Sequence, residues 1–359
     1  MVGLKQNDID ITAGVIEGFF GKPWNWESRM AGADFLRDCG YRFYIYAPKS
    51  ESFLRRQWRE PIPSETLQRL SQLSARCRQS SLAFGIGLTP FEIYRNYDAA
   101  AEASLRAKVA QIEQIGVDIL CILFDDMRGD IDGLAEIQAS VIADVCDWSS
   151  AARCIICPTY YSDDPLLARE FGSPPKNYLR DLARGVDARV DFFWTGEKII
   201  SQGYSAPHLA QVAADIGRKP FIWDNSIAND SRTRTNLLFL DPAAGGWKLP
   251  ADQVAGVAIN PMNQPYLSRI ALRRFQDTLT QGPADSLASI CRQLCGSVVA
   301  EHLLADMDLL QNKGLARLDA DTRGRLLKEY EQRPSNPFAA EVAAWLRGEY
   351  VFDPACLTM

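Results

Sequence analysis

The stretch Ile119-Leu-Cys-Ile-Leu-Phe-Asp-Asp126 joins an apolar run to two adjacent carboxylates. Its first six residues are typical of a strand that is buried on both faces of a parallel sheet. Two adjacent acids are costly to bury, because each loses its hydration and like charges repel. The pattern is typical of a strand that opens into a polar site, although a strand-end turn with solvated aspartates fits the dipeptide equally well.

Similar apolar or aromatic runs recur along the chain, and helical patterns over 64–80, 101–115 and 134–148 separate several of them. Strands that alternate with helices indicate parallel βαβ units. Eight such units in about 260 residues predict an α/β fold, a (β/α)8 TIM barrel. A doubly wound open sheet is the alternative, but no Gly-x-Gly-x-x-Gly follows the first run, which disfavours its dinucleotide-binding form. The eight runs begin near Gly14, Tyr41, Ala83, Ile119, Arg153, Val190, Pro220 and Gly256.

The pattern changes from about Pro283, beyond which the sequence contains helical segments and no strand-like run. We therefore predict a barrel over residues 1–282 and a small C-terminal α-helical appendage over 283–359. The predicted helices cover 286–310, 315–333 and 337–350. An apolar face on the first of them should pack against the barrel or against a second subunit; it consists of Leu303, Leu304, Met307 and Leu310.

The composition of the 359 residues, 47% hydrophobic with a net charge of −6, is typical of a soluble globular protein. Because no run of Lys and Arg is present, we expect neither nucleic acid nor an anionic membrane as a partner. Residues 1–14 lack the apolar segment of a signal peptide, and no apolar stretch is long enough to span a membrane. The nine cysteines, an odd number, favour free thiols in a reducing compartment, and we expect a cytoplasmic location.

The cysteines and the two histidines do not form a metal-binding pattern. Cys154-x-x-Cys157 lies in a predicted strand, where side chains at i and i+3 point to opposite faces. Cys291-x-x-x-Cys295 has no second half-site, since His208 and His302 are not spaced to supply one. The sequence therefore predicts no metal site.

In a (β/α)8 barrel, functional residues follow the C-terminal ends of the strands. Those ends carry aromatic, amide and carboxylate side chains with one lysine. This mixture suits a sugar, because aromatic rings stack on its apolar face while amides and carboxylates bond its hydroxyls. A phosphate site would instead carry several basic residues and glycine-rich turns. The strand-end residues include Glu17, Gly18, Lys49, Asp125, Asp126, Tyr161, Trp194, Trp223, Asn225, Asp230 and Asn260.

Several motifs, in the same order, resemble the catalytic domain of glycoside hydrolase family 84, the O-GlcNAcases and related β-N-acetylglucosaminidases. The likeness runs from about Gly14 to about Leu272, roughly three quarters of the chain. The motifs are GVIEGFFGKPWNWE at 14–27, YIYAPK at 44–49, WRE at 58–60, LFDDM at 123–127, CPTYY at 157–161, WTG at 194–196, WDNSIAND at 223–230 and NP at 260–261.

The resemblance implies a retaining exo-β-N-acetylglucosaminidase that needs no cofactor and removes terminal GlcNAc, with O-GlcNAc on Ser or Thr of proteins as a candidate substrate. In this family the nucleophile is the sugar's own 2-acetamido oxygen, which forms an oxazoline, rather than an enzyme carboxylate. By position in the motif, Asp125 would polarise the acetamido N–H. Asp126 would be the general acid and then the general base.

The resemblance also implies a set of substrate-binding residues. Asp230 and Asn260 would hold the 4- and 6-hydroxyl side of the sugar. Tyr161 would contact the acetamido oxygen, and Trp223 would line the pocket for the acetamido methyl group. The full implied set is Gly18, Lys49, Tyr161, Trp223, Asn225, Asp230 and Asn260.

Four places depart from the family pattern and leave the aglycone preference open: Phe20, Ser50-Glu51, Thr89-Pro-Phe91 and Tyr160. A glycosidase acting on hyaluronan or chitin fragments is an alternative, and so is a barrel that binds GlcNAc without turnover. The family also suggests a homodimer through the C-terminal helices.

Overall fold

The computed structural model describes residues 11–280 and 285–358. Its strands are all parallel and close into a barrel in chain order, with the first strand paired to the last. The predicted (β/α)8 barrel is thereby confirmed. The strands are β1 Ala13–Glu17, β2 Phe43–Tyr46, β3 Ala83–Leu88, β4 Ile119–Leu123, β5 Arg153–Cys157, β6 Asp191–Trp194, β7 Phe221–Asp224 and β8 Gly256–Ile259.

Helices surround the barrel and connect successive strands on its outside. They are α1 Trp26–Asp38, α2 Ser64–Gln79, α3 Ala99–Ile115, α4 Leu134–Trp148, α5 Pro165–Phe171, α6 Tyr178–Gly185, α7 Ala206–Ile216 and α8 Pro265–Thr280. Beyond the barrel lie α9 Leu287–Cys295, α10 Ser297–Ala305, α11 Ala320–Glu331 and α12 Pro337–Arg347. Short 3-10 turns cover Ser52–Leu54, Ile93–Arg95, Arg234–Asn236, Pro242–Gly245, Ala251–Gln253 and Leu315–Arg317, and a π-helical turn covers Asp308–Lys313.

Local sequence sets the helix ends. Asp98 caps α3, because its carboxylate accepts the backbone N–H groups of Ala100 and Ala101, so the helix starts two residues before the predicted position 101. Gly116 ends the same helix in the left-handed conformation at φ 77°, which glycine adopts without strain. The predicted helix over 286–310 is wrong as one element, since Gly296 at φ 78° ends α9 and a new helix begins after it.

A buried ion pair ties the first strand to the first helix. Glu17, fully buried at the end of β1, accepts two bonds from the Arg29 guanidinium at 2.6 and 2.8 Å. The Tyr44 hydroxyl donates to the same carboxylate. Glu17 was a strand-end candidate for chemistry, but these partners occupy it within the protein interior and give it a structural role.

The C-terminal helices share a second hydrophobic core with the barrel. Leu303 and Leu310 are fully buried in it beside Leu238 and Leu240, which follow β7. The Leu238 N–H also donates to the Leu310 carbonyl at 3.0 Å. The predicted apolar face therefore packs against the barrel side of the same chain. The predicted boundary between residues 282 and 283 lies outside the described residues and stays a prediction.

Among the helices of the described part of the chain, none is both long enough and apolar enough to cross a membrane.

Glu341 joins the last helix to the barrel. Its buried carboxylate, on α12, accepts the backbone N–H groups of Tyr266 and Leu267 at 2.9 and 2.8 Å, in the first turn of α8. Burial raises the pKa of Glu341 from 4.5 to about 8, against the opposing effect of these N–H donors. The contact therefore links the stability of this junction to pH.

Glu341→Gln should reveal that link. Since the folded chain holds the Glu341 proton up to about pH 8 while an unfolded chain releases it near pH 4.5, folding takes up a proton in this window. The contribution of Glu341 to the free energy of unfolding must then fall as pH rises from about 5 to about 8. Calorimetry should show the Tm of the wild type falling relative to that of Glu341→Gln over this range. Glu331→Gln, at an exposed position of α11, is the matched control, and a constant difference for Glu341→Gln would contradict the assignment.

Candidate active site

A cavity of about 390 Å³ opens at the C-terminal ends of the strands. This is the face where TIM barrels bind their ligands. Both implied catalytic aspartates and all seven implied substrate-binding residues line it, whereas the strand-end candidates Glu17 and Trp194 do not: the nine are Gly18, Lys49, Asp125, Asp126, Tyr161, Trp223, Asn225, Asp230 and Asn260. The structure brings the predicted set together in one place; the role of each residue is still a prediction.

The electrostatic centre of the cavity is a lysine held against two aspartates. The Lys49 ammonium donates to Asp125 Oδ2 and lies 3.6 Å from Asp126 Oδ2. Burial raises the pKa of Asp126, with Lys49 opposing the shift and the charge of Asp125 adding to it. Asp126 therefore holds its proton more tightly than a free aspartic acid, which is the property of a general acid.

The backbone explains how two neighbouring side chains reach one cavity. Side chains that follow each other in a strand point to opposite faces. At Asp126 the backbone adopts the left-handed conformation at φ 56°, which breaks this alternation directly after Asp125. Aspartate adopts that conformation more readily than most residues, at a cost on the order of 1 kcal/mol. Such local strain is typical of functional positions.

Three carboxylate oxygens of the cavity residues are buried without a hydrogen-bond donor: Oδ1 of Asp125, Oδ1 of Asp126 and Oδ1 of Asp230. An unsatisfied buried acceptor costs about 1–3 kcal/mol, so each needs an explanation. The second oxygen of Asp230 accepts the Phe20 N–H at 2.8 Å, and burial raises the pKa of Asp230 to about 6. The three free oxygens are suited to a ligand that brings its own N–H and O–H donors.

A fixed amide network forms another wall of the cavity. Asn225 Oδ1 accepts from Trp223 Nε1 and from Asn260 Nδ2, both at 2.9 Å. Asn260 Oδ1 accepts the Gly18 N–H at 3.1 Å, and Asn225 Nδ2 donates to the Ile199 carbonyl at 3.0 Å. Since an amide NH2 has two donors, Asn225 and Asn260 each keep one N–H for a ligand.

Gly18 must be glycine for a steric reason. A Cβ atom at this position would lie 2.3 Å from Cζ2 of Trp223, closer than any real contact. The small residue lets the strand end approach the indole and leaves the ring in place as a cavity wall.

Five further residues line the cavity: Phe20, Cys157, Thr195, Ile199 and Thr358. Cys157 and Thr195 belong to the CPTYY and WTG motifs, and membership of those motifs is the sequence signal for them. Phe20 was noted only as a departure from the family pattern. No sequence signal pointed to Ile199 or Thr358.

The other departures lie beside the cavity rather than in it. The Tyr160 hydroxyl donates to the Gly172 carbonyl at 2.6 Å, and the ring packs edge-on against Tyr178. The Tyr46 hydroxyl donates to the Glu51 carboxylate at 3.0 Å. Phe91 lines a neighbouring cavity that Asp126 also reaches.

The two cysteines of the Cys-x-x-Cys pair have separate surroundings. Cys157 lines the cavity, whereas the sulfur of Cys154 lies 3.0 Å from that of Cys146. Over residues 11–280 and 285–358, no group of three or more His, Cys, Asp or Glu side chains is arranged to hold a metal ion.

Comparison with known proteins identifies similar chains. A family model described as beta-N-acetylglucosaminidase matches residues 13–307. The protein O-GlcNAcases of Mus musculus and Rattus norvegicus are each 28% identical over 257 residues, 69% of this chain and 28% of theirs. The chain thus spans little more than a quarter of these curated relatives. A solved mutant of the Thermobaculum terrenum O-GlcNAc hydrolase is 26% identical with a TM-score of 0.73, covering 94% of this chain and 74% of that one. The family likeness found in the motifs is confirmed.

Lys49→Met should test the charge balance of the cavity. Without the ammonium, the pKa of Asp126 should rise further, and two buried carboxylates remain unpaired, at a cost of about 3–5 kcal/mol near neutral pH. Because the folded variant then takes up protons that the unfolded chain lacks, its stability should fall as pH rises above about 4. The Tm deficit of Lys49→Met should therefore be larger at pH 7 than at pH 4.5.

The control is Lys22→Met, which removes a half-exposed ammonium 3.5 Å from Glu349. Exposed pairs contribute little, so this variant should stay within about 0.5 kcal/mol of wild type at both pH values. An equal deficit for Lys49→Met at both pH values would show that Lys49 does not balance the aspartates.

Proposed function

Because the chain belongs to the β-N-acetylglucosaminidase family, we propose that it is a retaining exo-β-N-acetylglucosaminidase that removes terminal β-linked GlcNAc, with O-GlcNAc on Ser or Thr of proteins as its substrate. The observation that carries the proposal is the Asp125–Asp126 pair in the cavity, held by Lys49 and retaining one free oxygen on each aspartate. The names of the similar O-GlcNAcases support the choice of glycoside.

In the first step, the sugar's 2-acetamido oxygen attacks the anomeric carbon and the bond to the leaving oxygen breaks. The free Oδ1 of Asp125 accepts the acetamido N–H. Its charge, fixed in place by Lys49, stabilises the positive charge that develops on the oxazolinium. Asp126 gives its proton to the leaving oxygen, which departs as a neutral hydroxyl.

In the second step, Asp126 acts as a base. It takes a proton from water, whose oxygen attacks the anomeric carbon and opens the oxazoline. The electron pair of the carbon–oxygen bond returns to the acetamido carbonyl, and two inversions give net retention. One residue serves both steps because its proton is lost in the first and regained in the second.

The remaining cavity residues bind the sugar. Asp230 offers one unpartnered oxygen to a hydroxyl, and Asn225 and Asn260 each offer an N–H. Trp223 lines the pocket for the acetamido methyl group. Gly18, Lys49 and Tyr161 complete the set.

A cytoplasmic location and a homodimer through the C-terminal helices are further parts of the proposal. The nine free cysteines support a reducing compartment. Since Leu303 and Leu310 pack within the chain, a dimer would use other residues of these helices, such as the exposed Val298.

Substitution of the two aspartates should separate their roles. Asp126→Asn should lower kcat/KM for a peptide-linked GlcNAc by about 10²–10⁴, and far less for a dinitrophenyl glycoside whose leaving group needs no proton. Asp125→Asn should slow both substrates to a similar degree. Asp132→Asn, at an exposed position, is the matched control. Wild-type rates in both cavity variants would refute the assignment.

The nucleophile can be tested with aryl β-GlcNAc substrates whose N-acyl group is varied. If the acetamido oxygen attacks, kcat/KM should fall steeply from N-acetyl to N-trifluoroacetyl, because fluorine withdraws electrons from the carbonyl. A rate that does not respond to fluorination would require a nucleophile from the enzyme. The measurement is steady-state kinetics at one pH with a common leaving group.

A further inference from the structure

Residues 351–358 follow α12, and the last of them, Thr358, lines the cavity. The Phe352 ring lies 5.2 Å from the Arg232 guanidinium. Asp353 then forms a tight turn, because its carbonyl accepts the Cys356 N–H at 3.0 Å and its side chain accepts the Ala355 N–H at 2.9 Å. The turn directs the last described residues back toward the site.

The segment is docked at Cys356 and Thr358, while Val351 and Leu357 remain exposed. Cys356 is 3% exposed and Thr358 is 4% exposed, although neither lies in a helix or strand. The burial of Cys356 and Thr358 and the contact of Phe352 with Arg232 hold the segment in place.

The segment enters the site past Asp126. Leu357 lines a second cavity of about 820 Å³ together with Phe91, Asp126, Met127 and Phe171. The next residue, Thr358, lines the first cavity and makes a polar contact with the Tyr161 phenol. The chain therefore crosses from one cavity into the other where Asp126 lies.

The two cavities have different roles if Asp126 is the general acid. Among their described lining residues, Asp126 is the one they share. The acid must face the oxygen of the breaking bond, so the sugar lies on one side of it and the leaving group on the other. Asp125, Lys49 and Trp223 mark the first cavity as the sugar side. The second cavity is then the leaving-group side.

We propose that residues 351–358 act as an internal competitor of peptide-linked substrates, with Leu357 on the leaving-group side and Thr358 on the sugar side. This rests on the proposed function. Leu357 takes the place of an apolar residue of the substrate peptide, and Thr358, beside Tyr161, takes part of the place of the sugar. The leaving-group side accordingly fits a peptide with an apolar side chain near the modified Ser or Thr.

Internal competition has a quantitative consequence. If a site is free for only a fraction of the time, the apparent dissociation constant of its ligand equals the intrinsic constant divided by that fraction. If the segment is docked nine-tenths of the time, its removal lowers the KM for a GlcNAc-peptide about tenfold. The value of kcat should not change, because the segment must leave before the substrate binds.

The first test compares the full chain with a chain that lacks residues 351–359, using a GlcNAc-peptide and an aryl β-GlcNAc. The expected result is the fall in KM for the peptide substrate. The KM for the aryl glycoside should change less, because its leaving group reaches less of the leaving-group side. An unchanged or higher KM would overturn the proposal. Absence of hydrolysis by both chains would instead count against the proposed function.

A binding measurement tests the segment independently of catalysis. Calorimetry of the truncated chain with the synthetic peptide Val-Phe-Asp-Pro-Ala-Cys-Leu-Thr, kept reduced, should show saturable binding, and a scrambled peptide should show none. The peptide should also inhibit hydrolysis of the GlcNAc-peptide competitively. Equal binding of the two peptides, or binding of neither, would refute the docking.

A full-length variant guards against misfolding of the truncated chain. Leu357→Asp places a charge in the cavity that Phe91, Met127 and Phe171 also line, and it should lower the KM as truncation does. Val351→Asp is the matched control, since Val351 is 73% exposed and Leu357 is 51% exposed. Both variants should keep the wild-type Tm. Equal KM values for the two variants would show that Leu357 does not hold the segment on the leaving-group side.

Discussion

The site depends on one interaction, the contact of the buried Lys49 ammonium with two adjacent buried carboxylates. Asp125 and Asp126 could not both lie in a desolvated cavity without a positive charge beside them. The ammonium is closer to Asp125 than to Asp126, so the two acids are not equivalent. That asymmetry suits the pair to the two roles proposed for it, a stabilising charge and a proton carrier. The left-handed backbone at Asp126 is the local strain that places both groups on one side.

The barrel provides the second requirement, which is rigidity. Gly18, Trp223, Asn225 and Asn260 come from the ends of β1, β7 and β8, and their hydrogen bonds join those three strand ends. Such bonds hold a binding group in position before the ligand arrives, so little ordering is needed on binding. The buried Glu17–Arg29 pair ties the first strand to the first helix.

Whether a feature of the fold or the site could be predicted from the sequence depends on how far apart in the chain the interacting residues lie. The strands were predictable because parallel strands are buried on both faces and carry continuous apolar runs, as Ile119–Leu123 does. The nine cavity residues were predictable because strand ends converge in a barrel and because the motifs resemble a known family. The capture of Glu17 by Arg29 and the arrival of Thr358 beside Tyr161 were not, because each depends on a tertiary contact that no local pattern encodes. The break at Gly296 did have a local signal, since a glycine commonly ends a helix.

The position of residues 351–358 bears on the chemistry as well as on access. Burial is the largest cause of the raised pKa of Asp126, and Leu357 and Thr358 lie in the two cavities that meet at this carboxyl. A ligand that displaces the segment must therefore exclude water from Asp126 in its place. Otherwise the pKa of Asp126 falls, and this carboxyl loses its proton before the first step. A peptide that fills the leaving-group side buries Asp126 again, whereas a small leaving group buries it less. The preference for a peptide aglycone would then arise partly in proton transfer and not only in binding.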